Sequence, residues 1–453
     1  MPHMTEEKIE DELVKKLIEG VLDIKNLDKR LGQMRPGDVS ELIEKLPEKL
    51  KIEVFQKLEP ETASEILLTV NNENREILLE KMTTPQITGI VEEMDSDDAA
   101  DFVSDLSDEQ AREVLKELPP QESAEVRSLL DYPEDSAGGI MQLELVSLHD
   151  TQTCQDAIGV IRSKSEDVEE LHNVFVMDSF NRLVGTVPLR KLILHSPGKP
   201  IREIMDPDPV SVGVTGDQET VAKIFRKYDV VSLPVVDEEG RLLGRILHDD
   251  VLDVITEIDT EDLLKVAGTD DEEFESASWL NAARYRLPWL LTSLVGGIFM
   301  AAIINALGAP IKQTVSLAAF IPVILGMGGN VSTQSSAIAV RSLSLGKING
   351  SGIRHFILKE LRVGFAMAVF CGTLIGAIAT AINVEPEIGI VVGASLFASM
   401  AFASMMGTMV PLILHKLKVD PVLGAGPIVL TMADIAGLLI YFGLAAVLLR
   451  AFV

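Results

Sequence analysis

Between residues 38 and 131 an apolar position returns every 12 residues: Leu46, Leu58, Val70, Met82, Met94, Leu106, Leu118 and Leu130. Proline or a polar turn residue follows most of them, in LPEK, LEPE, MTTP, MDSD, LSDE and LPPQ. Asp, Ser and Glu at such breaks cap helix starts and suit the positive end of the helix dipole. Each repeat therefore predicts a short helix and a turn, with neighbours stacking into a superhelix. Beyond residue 284 the pattern changes to long apolar runs, at 287–309, 315–340, 356–382, 388–414 and 422–449. Each holds about 20 or more mainly apolar residues, enough to cross about 30 Å of hydrocarbon at 1.5 Å per residue.

The region 138–256 repeats on a longer scale. GGIMQLELVSLHDTQTCQDAIGVI matches REIMDPDPVSVGVTGDQETVAKIF, and VFVMDSFNRLVGTVPLRKLI matches LPVVDEEGRLLGRILHDDVL. Met141 pairs with Met205 and Gly185 with Gly244, the first copy being five residues longer in its middle. Each copy predicts strand, helix, strand, turn, strand, helix. The doubled D-x-x-x-x-L-x-G turn resembles a tandem pair of CBS domains; the resemblance implies dimerisation and sensing of a ligand, often an adenine nucleotide. From Val251 to about Ala283 a long acidic amphipathic helix and linker is expected.

Charge separates the two halves. Residues 1–275 carry 64 acidic and 29 basic residues, a net −35, against 5 and 11 from Ser276 onward, a net +6. An acidic half of this size repels phosphate and attracts cations, so nucleic acid is not an expected partner. Cys154 and Cys371 fall one in each half, which fits a reducing setting without a structural disulfide. No cleavable leader is expected ahead of the acidic region. Arg341, Lys347, Arg354, Lys359 and Arg362 follow the second apolar run, and Lys416 and Lys418 follow the fourth. The opposite loops hold only Lys312 and NVEPEI. The positive-inside rule thus puts the acidic N-terminal part in the cytoplasm and the C-terminus outside.

Polar groups inside the apolar runs carry the chemistry. Asp434, in TMADIAGLL, lies deep in the fifth run, where a lone carboxylate costs about 2.5–3.5 kcal/mol unless it faces a cavity or partner. With no Lys or Arg nearby in those runs, a cation is the economical partner. Asp420 marks the cytoplasmic start of the same run, as entrance or interface anchor. In VILGMGGNVSTQSS, Gly326, Gly328 and Gly329 let backbones approach or unwind, while Asn330, Ser332, Thr333 and Gln334 present neutral oxygens. No P-loop, His-Glu-x-x-His or nucleophile–base pair points to an enzyme.

FIPVILGMGGNVSTQSSAIAVRSL, VDPVLGAGPIVLTMADIAGLLIY and the preceding CBS pair together resemble the MgtE family of bacterial magnesium channels and transporters. The resemblance covers nearly the whole chain. It implies an all-α superhelical N-terminal domain (1–137), an α/β tandem CBS pair (138–256), a connecting helix and linker (257–283) and a five-helix transmembrane pore domain (284–453). It also implies a homodimer in the bacterial inner membrane, in contact with lipid, with a pore lined by the second and fifth spans. Asp434 corresponds to the central acid, Asp420 to the entrance acid and Asn330 to the polar Asn. Gly426 stands where some members carry Asn, and Leu430 offers a backbone oxygen. Resemblance and clustering assign a cytoplasmic Mg²⁺ sensor to Glu219, Asp229, Asp250, Asp253, Glu261 and Asp262, with Asp97, Asp98 and Asp101 facing them. Arg190 falls beside the family's ATP position, although Val230 replaces an aromatic found there in some relatives. The alternatives are transport of Co²⁺ or Mn²⁺, an anion channel, or a membrane-anchored CBS nucleotide sensor without a pore.

Overall fold

Short helices separated by proline-marked turns open the chain. They are α1 Pro36–Lys45, α2 Glu48–Phe55, α3 Pro60–Thr69, α4 Asn72–Leu79, α5 Thr84–Val91, α6 Ser96–Ser104, α7 Asp108–Glu117 and α8 Pro120–Leu129. The prolines of α1, α3 and α8 occupy the first helical position, where a missing N–H costs nothing. Elsewhere side chains cap the start: Asn71 accepts from Asn74 N at 3.0 Å and Ser107 from Gln110 N at 3.4 Å. The residues of the 12-residue register sit just past the helix ends, where Leu46, Val70 and Leu118 are buried. Alternate helices pack on one another, α1 on α3 on α5 on α7 and, on the other side, α2 on α4 and α6 on α8. That stacking is the expected superhelix.

The structure is a computed structural model, and it describes residues 31, 34–164, 168, 171–269, 279–307, 315–345, 348, 352–383 and 385–452. It divides into two units, Met1–Glu257 and Ile258–Val453.

The first unit continues with β1 Ser147–His149, α9 Cys154–Ser163, β2 Asn173–Met177, β3 Leu183–Pro188 and α10 Leu189–Leu194. The second copy supplies β4 Val212–Gly213, α11 Gln218–Tyr228, β5 Ser232–Val236, β6 Leu242–Leu247 and α12 His248–Ala267. Each copy has a three-stranded sheet, with β1 parallel to β2 and β2 antiparallel to β3, and β4, β5 and β6 arranged likewise. The two β2–β3-type turns are the same device. Asp178 accepts from Phe180 N and Arg182 N, and Asp237 from Glu239 N and Arg241 N. Asn181 at φ 59° and Gly240 at φ 79° complete them. The repeated Met and Gly meet across the copies. A Cβ on Gly185 would lie 2.7 Å from Met205 Sδ, and one on Gly244 2.9 Å from Met141 Sδ, so the entry segment of each copy seals the other's sheet.

In the second unit, helices long and apolar enough to cross a membrane span Trp279–Leu307, Ser316–Ser344, Gly352–Ile382, Pro386–Lys416 and Pro421–Ala451. Their regular helices are α13 Trp279–Leu307, α14 Val315–Ala318, α15 Ile321–Ser344, α16 Gly352–Asn383, α17 Pro386–Lys416 and α18 Pro427–Phe452, with a 3₁₀ turn at Pro421–Gly424. These five agree with the expected spans to within several residues. Helix α17 is the centre, packing on α15, α16 and α18. Glycine permits the closest approach: a Cβ on Gly407 would come 2.3 Å from the Ser332 carbonyl oxygen. The expected acidic helix is shorter than the sequence suggests. Helix α12 ends at Ala267, Gly268 turns at φ 85°, and residues 270–278 of the expected linker lie outside the described residues.

Candidate functional site

The polar interruption of the second span does not unwind the helix. Helix α15 runs unbroken through GMGGN; Gly328 and Gly329 serve close approach, whereas a Cβ on Gly326 would meet nothing within 4 Å. Ser332 and Thr333 turn inward to donate to the Gly329 carbonyl, at 2.8 and 3.1 Å. Ser335 meets Ser404 at 3.2 Å, and Ser336 donates to Gly424 O at 3.0 Å. The hydroxyls are therefore spent on packing. Asn330 and Gln334, one turn apart, remain exposed and line a cavity of about 480 Å³ with Met327, Met367, Cys371 and Met400.

Asp434 is half-buried on α18, and its Oδ1 has no hydrogen-bond partner among the described residues. A Cβ on Gly329 would lie 3.5 Å from that oxygen and 2.6 Å from Leu430 Cδ1, so the glycine leaves room for both. Leu430 precedes Asp434 by one helical turn. Its N–H donates to the Gly426 carbonyl at 3.3 Å, so that carbonyl is already engaged. Gly426 is covered by the end of α12: an added Cβ would sit 3.2 Å from the carbonyl oxygens of Lys265 and Val266. Asp420 caps the 3₁₀ turn through Val422 N at 2.8 Å and lies 3.6 Å from Lys265 Nζ. Lys265 also holds Glu261, while Asp262 accepts from Ser344 at 3.1 Å and Asp259 pairs with Arg341. The second half of α12 is thus fastened to the ends of α15 and α18. Asp259, Lys265 and Arg341 carry much of that contact, although sequence reasoning had not singled them out for it.

In the first unit, α6 and α12 gather carboxylates. Asp97 is only 6% exposed, and burial, then Asp98 and Asp250, push its carboxyl well above the ordinary range. Asp98 is pushed up to about 7 by burial, Asp250, Asp95, Asp101 and Asp249. Asp101 and Asp250 rise to about 6, each through burial first, then Glu134 for Asp101 and Asp249 for Asp250. Asp253 adds to the charge on Asp250. The cluster brings together Asp97, Asp98, Asp101, Asp250 and Asp253, and enlists Asp95 and Asp249 besides. Glu219 is instead exposed on α11, paired with Lys223 at 2.7 Å. Asp229 is the exposed left-handed cap of that helix, at φ 53°. Arg190 is exposed on α10, and Val230 packs against the core. Among the described residues no three His, Cys, Asp or Glu side chains converge on a ready-made metal cage. Carboxylates crowded in this way suit a hydrated cation held through its waters.

Family models match three stretches: the MgtE intracellular N domain over residues 34–135, the CBS domain over 201–257 and the MgtE divalent cation transporter domain over 321–444. The magnesium transporter MgtE of Bacillus subtilis is 33% identical over 444 residues, 97% of this chain and 98% of that protein. The chain belongs to the MgtE family. A second MgtE magnesium transporter, from Thermus thermophilus, is 36% identical over 329 residues, covering 72% of this chain and 73% of that protein. Among solved structures, the cytosolic domain of the Mg²⁺ channel MgtE in complex with ATP superposes with a TM-score of 0.51 at 33% identity, covering 53% of this chain and 98% of that one. The soluble part of a magnesium transporter gives a TM-score of 0.51 at 29% identity over 56% of this chain and 98% of that one. The architecture is that of an MgtE protein: helical N-terminal domain, CBS pair and five apolar membrane helices.

Proposed function

We propose that the chain is a Mg²⁺ channel or transporter of the bacterial inner membrane, working as a homodimer with its acidic N-terminal part in the cytoplasm. The observation that carries this reading is the unpartnered Asp434 oxygen on an apolar helix beside Gly329. Mg²⁺ dehydrates reluctantly, so it passes with its waters, and two Asp434 carboxylates facing each other across a twofold axis neutralise one divalent ion. Asn330 adds a neutral oxygen, Leu430 a backbone oxygen, and Asp420 with Gly426 forms the cytoplasmic entrance. The pore follows the second and fifth spans, and lipid contacts the outer apolar faces. The division into 1–137, 138–256, 257–283 and 284–453 assigns sensing to the first two parts, coupling to the third and conduction to the fourth.

Cytoplasmic Mg²⁺ closes the pore by bridging the acids of α6 and α12. When it is scarce, the like charges repel and loosen the contact. Asp97, Asp98, Asp101, Asp250 and Asp253 form the core of this response, with Glu219, Asp229, Glu261 and Asp262 as outer members. The end of α12, lying over Gly426 and held through Lys265, is the part that closes. The ATP of the structural neighbour extends to this chain at Arg190 as a modulator of the CBS pair. Proteoliposome flux tests the reading. Mg²⁺ uptake that falls as cytoplasmic-side Mg²⁺ rises is expected. Flux of Co²⁺ or Mn²⁺ in its place would transfer the assignment to those ions, and absence of any cation flux would leave an anchored sensor.

A further inference from the structure

Helices α16 and α17 run antiparallel in a register fixed by small residues. Cβ atoms added to Gly364, Gly372 and Gly376 would meet Ser404 Oγ, Gly393 O and Gly389 O in turn. The same register sets the first turn of α16, from Gly352, beside the last turn of α17, which ends at Lys416. This end of the helix pair therefore collects Arg354, Lys359, Arg362, Lys416 and Lys418, all of them exposed. Two carboxylates lie near them in the chain, and both are occupied or enclosed. Glu360 is buried, 3.7 Å from Lys359 Nζ, and Asp420 caps Val422 N and faces Lys265. Arg354, Arg362, Lys416 and Lys418 form no ion pair with any described residue, whereas Arg341 on α15 is held by Asp259.

Arg362 is the most telling of the five. It lies about 15 Å past Gly352 along a helix long and apolar enough to cross a membrane. It is also the last charge of α16, since residues 363–383 carry none. Exposed Leu358 and Phe365 flank it one turn to either side, and exposed Val369 lies a turn beyond. A guanidinium at that depth extends toward the headgroup layer and needs an anion there. Its planar fork of donors suits a phosphate.

We propose that this end of α16 and α17 is a headgroup site for an anionic glycerophospholipid of the cytoplasmic leaflet. Arg362 and Lys359 hold the phosphate, and Arg354, Lys416 and Lys418 raise the positive potential around it. The acyl chains lie along Leu358, Phe365 and Val369. Charge complementarity selects this occupant, because lipid phosphate is the anion present at the level of Arg362. The proposal rests on placing the start of α16 at the cytoplasmic membrane surface, and not on which ion is carried.

Lipid binding by the full-length protein in neutral detergent, read by native mass spectrometry, tests it. The probes are phosphatidylglycerol, phosphatidylcholine with the same chains, and inorganic phosphate. Wild type should hold phosphatidylglycerol about 25-fold more tightly than phosphatidylcholine, at about fivefold for each of the two contacting charges. Lys359→Gln/Arg362→Gln should lose that margin, and Arg341→Gln, whose guanidinium is already engaged, should keep it. If the double variant melts below wild type without lipid, Lys416→Gln/Lys418→Gln decides. A fall of about fivefold or more in its phosphatidylglycerol affinity, with phosphatidylcholine unchanged, is the supporting result. Equal binding of the two lipids by wild type overturns the proposal, as does a margin that survives in the deciding variant. Loss of the margin in Arg341→Gln as well would reveal diffuse surface charge in place of a site. Displacement of phosphatidylglycerol by excess inorganic phosphate would make this a free-anion site, and either result overturns the proposal.

Discussion

The chain uses aspartate in two opposite ways. In the first unit Asp95, Asp97, Asp98, Asp101, Asp249 and Asp250 crowd one another, and burial, then this crowding, raises the proton affinities of Asp97, Asp98, Asp101 and Asp250. In the second unit Asp434 stands alone on an apolar helix with an oxygen that nothing in the described residues satisfies. Crowded, largely buried carboxylates trade repulsion for a cation in proportion to its concentration, which suits graded sensing. An isolated carboxylate in a low-dielectric setting needs one charge at a time, which suits passage. In the proposed reading the same side chain serves as a sensor or a waypoint according to its neighbours.

The largest effect that would break this comparison is at Asp434. Asp434→Ala should reduce Mg²⁺ flux to background while the Mg²⁺-dependent protection of α6 and α12 persists. Loss of both together would mean that the two regions are not separable. Next comes the packing on which the membrane unit depends. Gly407→Ala forces a methyl onto the Ser332 carbonyl and should destabilise that unit by about 1–3 kcal/mol, read as a lower melting temperature in detergent. Unchanged melting would show that α15 and α17 are not in backbone contact.

The crowded acids make a third, smaller prediction with a defined sign. The folded-state affinities of Asp97, Asp98, Asp101 and Asp250 lie above the ordinary carboxylate value of 3.8. Between about pH 4 and 7 the folded state therefore binds more protons than the unfolded one, and stability rises as pH falls through that window. In EDTA the melting of the first unit should move upward from about pH 7.5 to about pH 5.5, and Mg²⁺ should flatten the trend. The smallest effect concerns Tyr441, whose hydroxyl donates to Leu317 O at 2.8 Å within the membrane unit. Tyr441→Phe should cost about 1 kcal/mol in melting and leave flux feedback intact.

Much of this was legible in the residues because periodicity reports burial directly. The 12-residue register marked helix ends, and the apolar runs marked the spans. The internal match of Met141 with Met205 foretold two like copies, but not that each methionine packs on the other copy's glycine. That exchange depends on how the linkers cross, which no local pattern encodes. Asp434 was legible because a carboxylate in an apolar run has few bland explanations. Asp95 and Asp249 were not, since one more acid in an acidic region carries no signal until the fold brings α6 to α12. Glu219 and Asp229 illustrate the converse, because the resemblance singled them out and the fold puts them on the exposed surface and at the end of α11. Arg245, buried on β6 where the first copy has Thr186, carries a signal of its own, because a charge inside an apolar strand calls for a buried partner.

The central claim is that the crowded acids govern flux without conducting it. It is tested most directly by Mg²⁺ flux through Asp97→Asn/Asp98→Asn/Asp250→Asn proteoliposomes as cytoplasmic-side Mg²⁺ is raised. The account predicts that flux persists and no longer falls as that Mg²⁺ increases. Flux that is abolished, or that is throttled by Mg²⁺ as in wild type, would contradict it.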